Sequence, residues 1–192
     1  MLLVFGENRK DVKAKGECIV SGKDLACRDL IIEGDFILIG NLFCRDIDIK
    51  GNCTIYGKIY CCRKVNVQGD LCVLGVTIKT SRDIDGGFFA PNDDVEVGGN
   101  LVCDLQIRAG FYKIKVGADF ITRHVECGSI SVAGDCMVGG INSEEAVYVL
   151  GDLTTDFAIE APKVFCGGKY TREFYAEKEI AEIYEGCKHW AK

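Results

Sequence analysis

The chain has 192 residues, 48% hydrophobic and 27% charged, and carries a formal net charge of −6. That balance excludes an intrinsically disordered chain, and no apolar run approaches the roughly 20 residues of a membrane helix. The acidic surplus speaks against nucleic acid or an anionic membrane, whose phosphates demand clustered Lys and Arg; it is compatible with a basic protein partner.

The apolar stretch at residues 1–5 lacks a basic leader and stops at Gly6, too short for a signal peptide, so a cytoplasmic location is expected. From Val12 onward one pattern recurs: apolar, any, apolar, any, Gly, Asp or Asn, apolar. It is weak over 12–18 and full over 30–36, 47–53, 65–71, 95–101, 130–136 and 147–153. Over 114–120 Ala118 takes the glycine place, and over 164–170 Lys169 follows Gly168. The glycine places are 16, 34, 51, 69, 99, 118, 134, 151 and 168, separated by 18, 17, 18, 30, 19, 16, 17 and 17 residues. So short a period, repeated so often, is the mark of a solenoid.

Within a copy the apolar residues alternate, as in Ile47/Ile49, Cys53/Ile55 and Ile59/Cys61, which is strand periodicity. Three short strands and a return make one coil. The expected fold is all-β: a three-sided parallel β-helix of about nine to ten coils over residues 1–170, stacked at about 4.8 Å into a shaft of about 45 Å. Glycine is expected to supply unusual backbone angles at a corner, and the following Asp or Asn to bond the local backbone.

Twelve cysteines invite a disulfide reading, but position argues otherwise. Cys18, Cys27, Cys44, Cys53, Cys61, Cys103, Cys127, Cys136 and Cys166 fall on inward places, Cys62 and Cys72 on outward ones, and Cys187 in the C-terminal segment. They read as small hydrophobic filler in a reducing compartment. A second marker places Arg28, Arg45, Arg63 and Arg82 in one outward column near a corner, with Asp29, Asp46 and Asp83 beside it. The column is either an anion-binding or carboxylate-binding strip, or a solvated ladder in which each Arg pairs with a neighbouring coil's Asp and adds little stability.

The rhythm breaks once, in the 30-residue step from Gly69 to Gly99. Residues 84–88 look like a damaged marker, leaving an irregular coil or loop at 84–94. Insertions in repeat arrays leave the shaft and often bind, so Phe88, Phe89, Asp93 and Asp94 form a candidate partner contact; alternatively the two rings fold back over an imperfect coil. Over 171–192 the apolar spacing becomes three and four, at Ala176, Ile180, Ile183, Tyr184, Cys187 and Trp190. This predicts an amphipathic helix, with Glu early and Lys late to suit its dipole, whose expected job is to cap the last coil. An oligomer or partner contact is the alternative.

Two histidines occur, His124 and His189; His124 is expected outward at a corner. There is no CxxC and no HExxH, and the periodic glycines do not read as a phosphate loop. No catalytic residue, metal or cofactor is expected.

The alternation over 69–75, 99–103 and 134–139 resembles bactofilins, polymer-forming cytoskeletal proteins, across roughly residues 12–170. That resemblance implies a right-handed, three-sided helix polymerising end to end without nucleotide; a helix blocking one end, the cysteines and the loop around Pro91 depart from the pattern. The six-residue grid is also similar to hexapeptide-repeat acyltransferases, which implies a left-handed helix with an inserted loop and a basic His, a place only His124 could fill. The expected function is recognition: a non-enzymatic cytosolic β-solenoid that binds a protein partner, for example an acidic inhibitor or immunity-type protein for a basic toxin or enzyme. Bactofilin-like structural self-association and acyl transfer are the alternatives.

Overall fold

Alternating apolar residues need a surface that buries one side of each strand. Here that surface is built by successive turns of the same chain. The computed structural model describes residues 10–22, 24–61, 63–74, 88–91 and 93–172. Among these it forms an all-β parallel solenoid of about eight turns, a sheet of 21 strands with no helix.

The pairings sort into three ladders. The first joins Val12–Lys15, Asp29–Glu33, Asp46–Ile49, Val65–Val67, Val95–Val97 and Lys113–Val116, continues through the long strands Phe120–Val132 and Cys136–Val149, and ends at Val164–Cys166. The second starts at Cys18–Ser21 and ends at Tyr170–Arg172. The third starts at Leu25–Ala26 and ends at Ile159–Glu160.

Inward residues stack in register. Leu30, Ile47, Val65, Val95, Ile114, Ile130 and Val147 form one column, and all are buried. Phe36 lies between Cys18 and Cys53, and Phe120 lies between Leu101 and Cys136. The cysteines are therefore small partners that make room for large rings, as close packing requires. None of the ten described cysteines is in a disulfide. Cys72 does point outward as its parity predicts, yet it is buried, in a second small cluster with Leu74 and Val102 on the outer face. Cys62 and Cys187 lie outside the described residues.

Two expectations are corrected. Phe88–Pro91 is a strand of the third ladder, with Phe88 paired to Lys58 and Gln106 and Phe89 to Ile59 and Ile107. Within the expected irregular coil or loop at 84–94, residues 88–91 are thus regular, because they complete the coil; residues 75–87 and Asn92 lie outside the described residues. Strand pairing also continues through Arg172, so Thr171 and Arg172 belong to the sheet. The rest of the expected helix, 173–192, lies outside the described residues.

The glycine marker works differently from expectation. Only Gly16 and Gly34 among the marker glycines have positive φ. At Gly51, Gly69, Gly134, Gly151 and Gly168 an added Cβ would instead collide with the glycine or alanine one turn below and with the Oδ1 of that turn's Asp or Asn. Glycine is required there by close approach between turns. The acidic residue, likewise, bonds the next turn: Asp35 Oδ1 accepts the Asn52 N–H at 2.8 Å, Asn52 that of Asp70 at 3.0 Å and Asp70 that of Asn100 at 2.7 Å. The ladder runs on through Asp119, Asp135 and Asp152 to the Lys169 N–H at 2.7 Å.

Candidate interaction surface

The junction where the third ladder passes into the first gathers most of the residues singled out from sequence. Its lower half is an Arg–Asp ladder. Arg28 grips Asp11 through Nε and Nη2 at 2.7 and 2.8 Å, and Arg45 grips Asp29 at 2.9 and 2.7 Å. Each carboxylate lies in the turn below its arginine. Arg45 Nε also reaches Asp46 at 3.1 Å, and Arg63 Nε lies 3.7 Å from Asp46. The hydrogen bond from Arg28 holds the Asp11 carboxyl below its ordinary range. Two-point Arg–carboxylate contacts are directional as well as electrostatic, so the planar donor faces of Arg28 and Arg45 are already occupied within the chain. Arg82 lies outside the described residues.

Asp93 and Asp94 continue the same edge one turn above Arg63 and Lys64. The Asp94 backbone N–H donates to Asp93 Oδ1 at 2.8 Å, and Asp94 Oδ1 accepts the Lys113 N–H at 2.9 Å. The structure thus joins the arginine column and the acidic pair into one edge. The strand positions of Phe88 and Phe89 place them on the third ladder just before it.

Above the acidic pair the edge turns aromatic. The step of 19 between Gly99 and Ala118 accommodates an outward turn: the Tyr112 N–H donates to the Ala109 carbonyl at 3.1 Å, and Gly110 sits at φ 57°. That conformation is costly for a residue with a Cβ. Phe111, at the tip, is 77% exposed, with Tyr112 exposed beside it. On the adjoining first ladder Tyr148 is 46% exposed. That ladder carries an open groove of about 260 Å³, lined by Asp94, Glu96, Lys113, Lys115, Ser129 and Tyr148. Lys115 Nζ is 2.8 Å from Glu96 Oε1, which lowers the Glu96 pKa. Lower on the third ladder, the exposed rings of Phe43 and Tyr60 stack with centroids 5.0 Å apart and planes within 7°.

Sequence reading missed these aromatics. Phe43, Tyr60 and Tyr148 have outward parity, and Phe111 lies in a step of 19 residues, longer than the 16 to 18 of the other regular steps; both signals were legible. Large exposed rings beside charged groups are characteristic of protein contact surfaces.

His124 lies within the strand Phe120–Val132, in register with Gln106 and Gly140, not at a corner. It is half-buried, its Nε2 3.5 Å from Glu126 Oε1, and Glu126 also lies 3.7 Å from Arg108 Nε. Burial pushes the Cys27 thiol up to about 12, aided by the Asp29 charge, and the Cys127 thiol up to about 11; it also raises Cys53 and Cys136. Raised thiol pKa values mean little thiolate, the nucleophilic and metal-binding form. Among the described residues no three His, Cys, Asp or Glu side chains are arranged to hold a metal ion, and no helix is long and apolar enough to cross a membrane. The chain matches no family model, no curated protein and no solved structure.

Proposed function

We propose that this β-solenoid acts by recognition, as a non-enzymatic cytosolic protein that binds a protein partner along the edge between its third and first ladders. The observation that supports this most is the set of exposed aromatic rings led by Phe111, together with the groove that Tyr148 lines. Aromatic anchors rimmed by charge dominate binding energy in protein interfaces. With Asp93, Asp94, Glu144 and Glu145 near the same edge and a net charge of −6, the partner is a basic protein such as a toxin or enzyme that this chain inhibits. The finer geometry belongs to the same reading: three faces, a right-handed wind, nine to ten coils and a C-terminal capping helix.

The test is affinity capture from the source organism with wild type and a Phe111→Ala/Tyr148→Ala variant of equal thermal stability. A basic partner held by wild type and lost at least tenfold by the variant supports the reading. A partner held equally by both places binding elsewhere and defeats it.

A second reading, bactofilin-like end-to-end assembly, draws on the exposed last turn, where Val164 and Tyr170 are half-exposed. Filaments of the purified full chain in negative stain at micromolar concentration would favour that reading over a monomeric binder.

A further inference from the structure

The third ladder sets thiols one above another. Cys44 and Cys61 are in register on adjacent parallel strands. Among the described residues no other strand pairing brings cysteine against cysteine. One turn below, Ala26 is in register with Phe43, and the Cys27 N–H donates to the Phe43 carbonyl at 3.0 Å, so Cys27 lies under Cys44. Cys44 and Cys61 are 5 and 1% exposed, and Cys27 is half-buried. Cys18, Cys53 and Cys136 each make room for a phenylalanine ring. Cys44 and Cys61 have no ring between them, so that packing role does not account for the pair.

The two thiols also differ in acidity. Hydrogen bonding by Cys44 holds Cys61 below its ordinary value, and the same contact, with burial, pushes Cys44 up. As a thiol, Cys61 donates to the Arg45 carbonyl at 3.1 Å, with the Arg63 carbonyl at 3.5 Å. Cys61 is thus the member of the pair that yields its proton first, and the thiolate is the metal-binding form.

Spacing decides what the pair can hold. Residues in register on adjacent turns lie about 4.8 Å apart. A disulfide needs its β-carbons at about 3.8 Å, so it would draw the two turns together by about 1 Å. Two metal–thiolate bonds of about 2.3 Å laid in line span about 4.6 Å, which matches the turn spacing. Structural zinc requires four ligands, and among the described residues no set of three His, Cys, Asp or Glu side chains forms a metal site. Soft thiolates select copper(I), which accepts two ligands in line.

We propose that Cys44 and Cys61 bind one soft, singly charged cation of the copper(I) class between successive turns, with half-buried Cys27 as the thiol through which it enters. Each of the two thiols releases its proton to solvent as its sulfur bonds the metal, so two protons leave for each cation bound. This site is independent of the partner edge.

Anaerobic titration of the full, reduced chain with copper(I), in competition with bathocuproine disulfonate, tests the proposal. Wild type is expected to retain one equivalent, and X-ray absorption to show two sulfurs in line. Cys44→Ser/Cys61→Ser should hold that equivalent at least tenfold more weakly, and Cys136→Ser as tightly as wild type. If the double variant fails to fold by circular dichroism, Cys61→Ala takes its place with the same expectation. Equal retention by the variant and wild type overturns the proposal, as does a three- or four-coordinate centre in wild type. Absence of uptake by the reduced protein also overturns it; a Cys44–Cys61 disulfide found by peptide mapping after hydrogen peroxide would then assign the pair to thiol oxidation.

Discussion

At the residue scale the solenoid is governed by how closely one turn can lie on the next. The marker glycines leave room for a side-chain oxygen of the turn below, and that oxygen takes the backbone N–H of the turn above. Ala118 shows that a methyl is carried at one such place. A branched side chain is larger, so Gly151→Val is expected to cost about 1–3 kcal/mol by overpacking. Asp135 tests the other half of the device. Asp135→Ala strands the Asp152 N–H and should cost about 1 kcal/mol, whereas Asp135→Asn should cost nothing, since Asn52 and Asn100 fill equivalent places. Urea unfolding of the three variants checks this; equal loss in the Ala and Asn variants would contradict the assigned role of the oxygen.

At the scale of the strand, each rung gains from pairing a large inward residue with smaller ones above and below. Phe36, between Cys18 and Cys53, is fully buried. Removing its ring leaves a void that two cysteines cannot fill, so Phe36→Ala is expected to cost about 3–5 kcal/mol. Phe43, outward and exposed on the next strand, should cost under about 1 kcal/mol when truncated, its stacking on Tyr60 included. Comparable losses at the two sites in chemical denaturation would mean that inward parity does not govern stability here. The Arg–Asp ladder belongs to this scale too: its pairs are partly solvated and contribute little individually, while fixing the edge on which the aromatics are displayed.

For the whole molecule, four thiols raised by burial make stability depend on alkaline pH. Cys27 and Cys127 are raised from 9.0 to about 12 and about 11, mainly by burial, and Cys53 and Cys136 are raised for the same reason. The folded state therefore holds protons that the unfolded state releases above pH 9. The stability is fully present below that pH and is lost as pH rises toward the folded values. In reductant, the melting temperature should be level from pH 7 to about 8.5 and fall between about 9 and 11. A Cys53→Ala/Cys136→Ala variant should show a shallower fall relative to its own value at pH 7. An identical fall in wild type and variant would assign the alkaline transition to other groups.

Much of this architecture is already present in the order of the residues. Alternation along each strand and a return every 16 to 19 residues decide which side chains face inward, because both are periodicities of the chain itself. The column through Ile47 and Val65 and the burial of most cysteines follow from them. What the tertiary structure alone decided are relations between residues about one turn apart: the clash that makes Gly51 and Gly151 necessary, the N–H that each Asp serves, and the gathering of Arg63, Asp94 and Phe111 on one edge. It also decided that Phe88 resumes the ladder and that Cys72 is buried on the outer face. Such facts depend on register and on close contact across turns, and a local pattern contains neither.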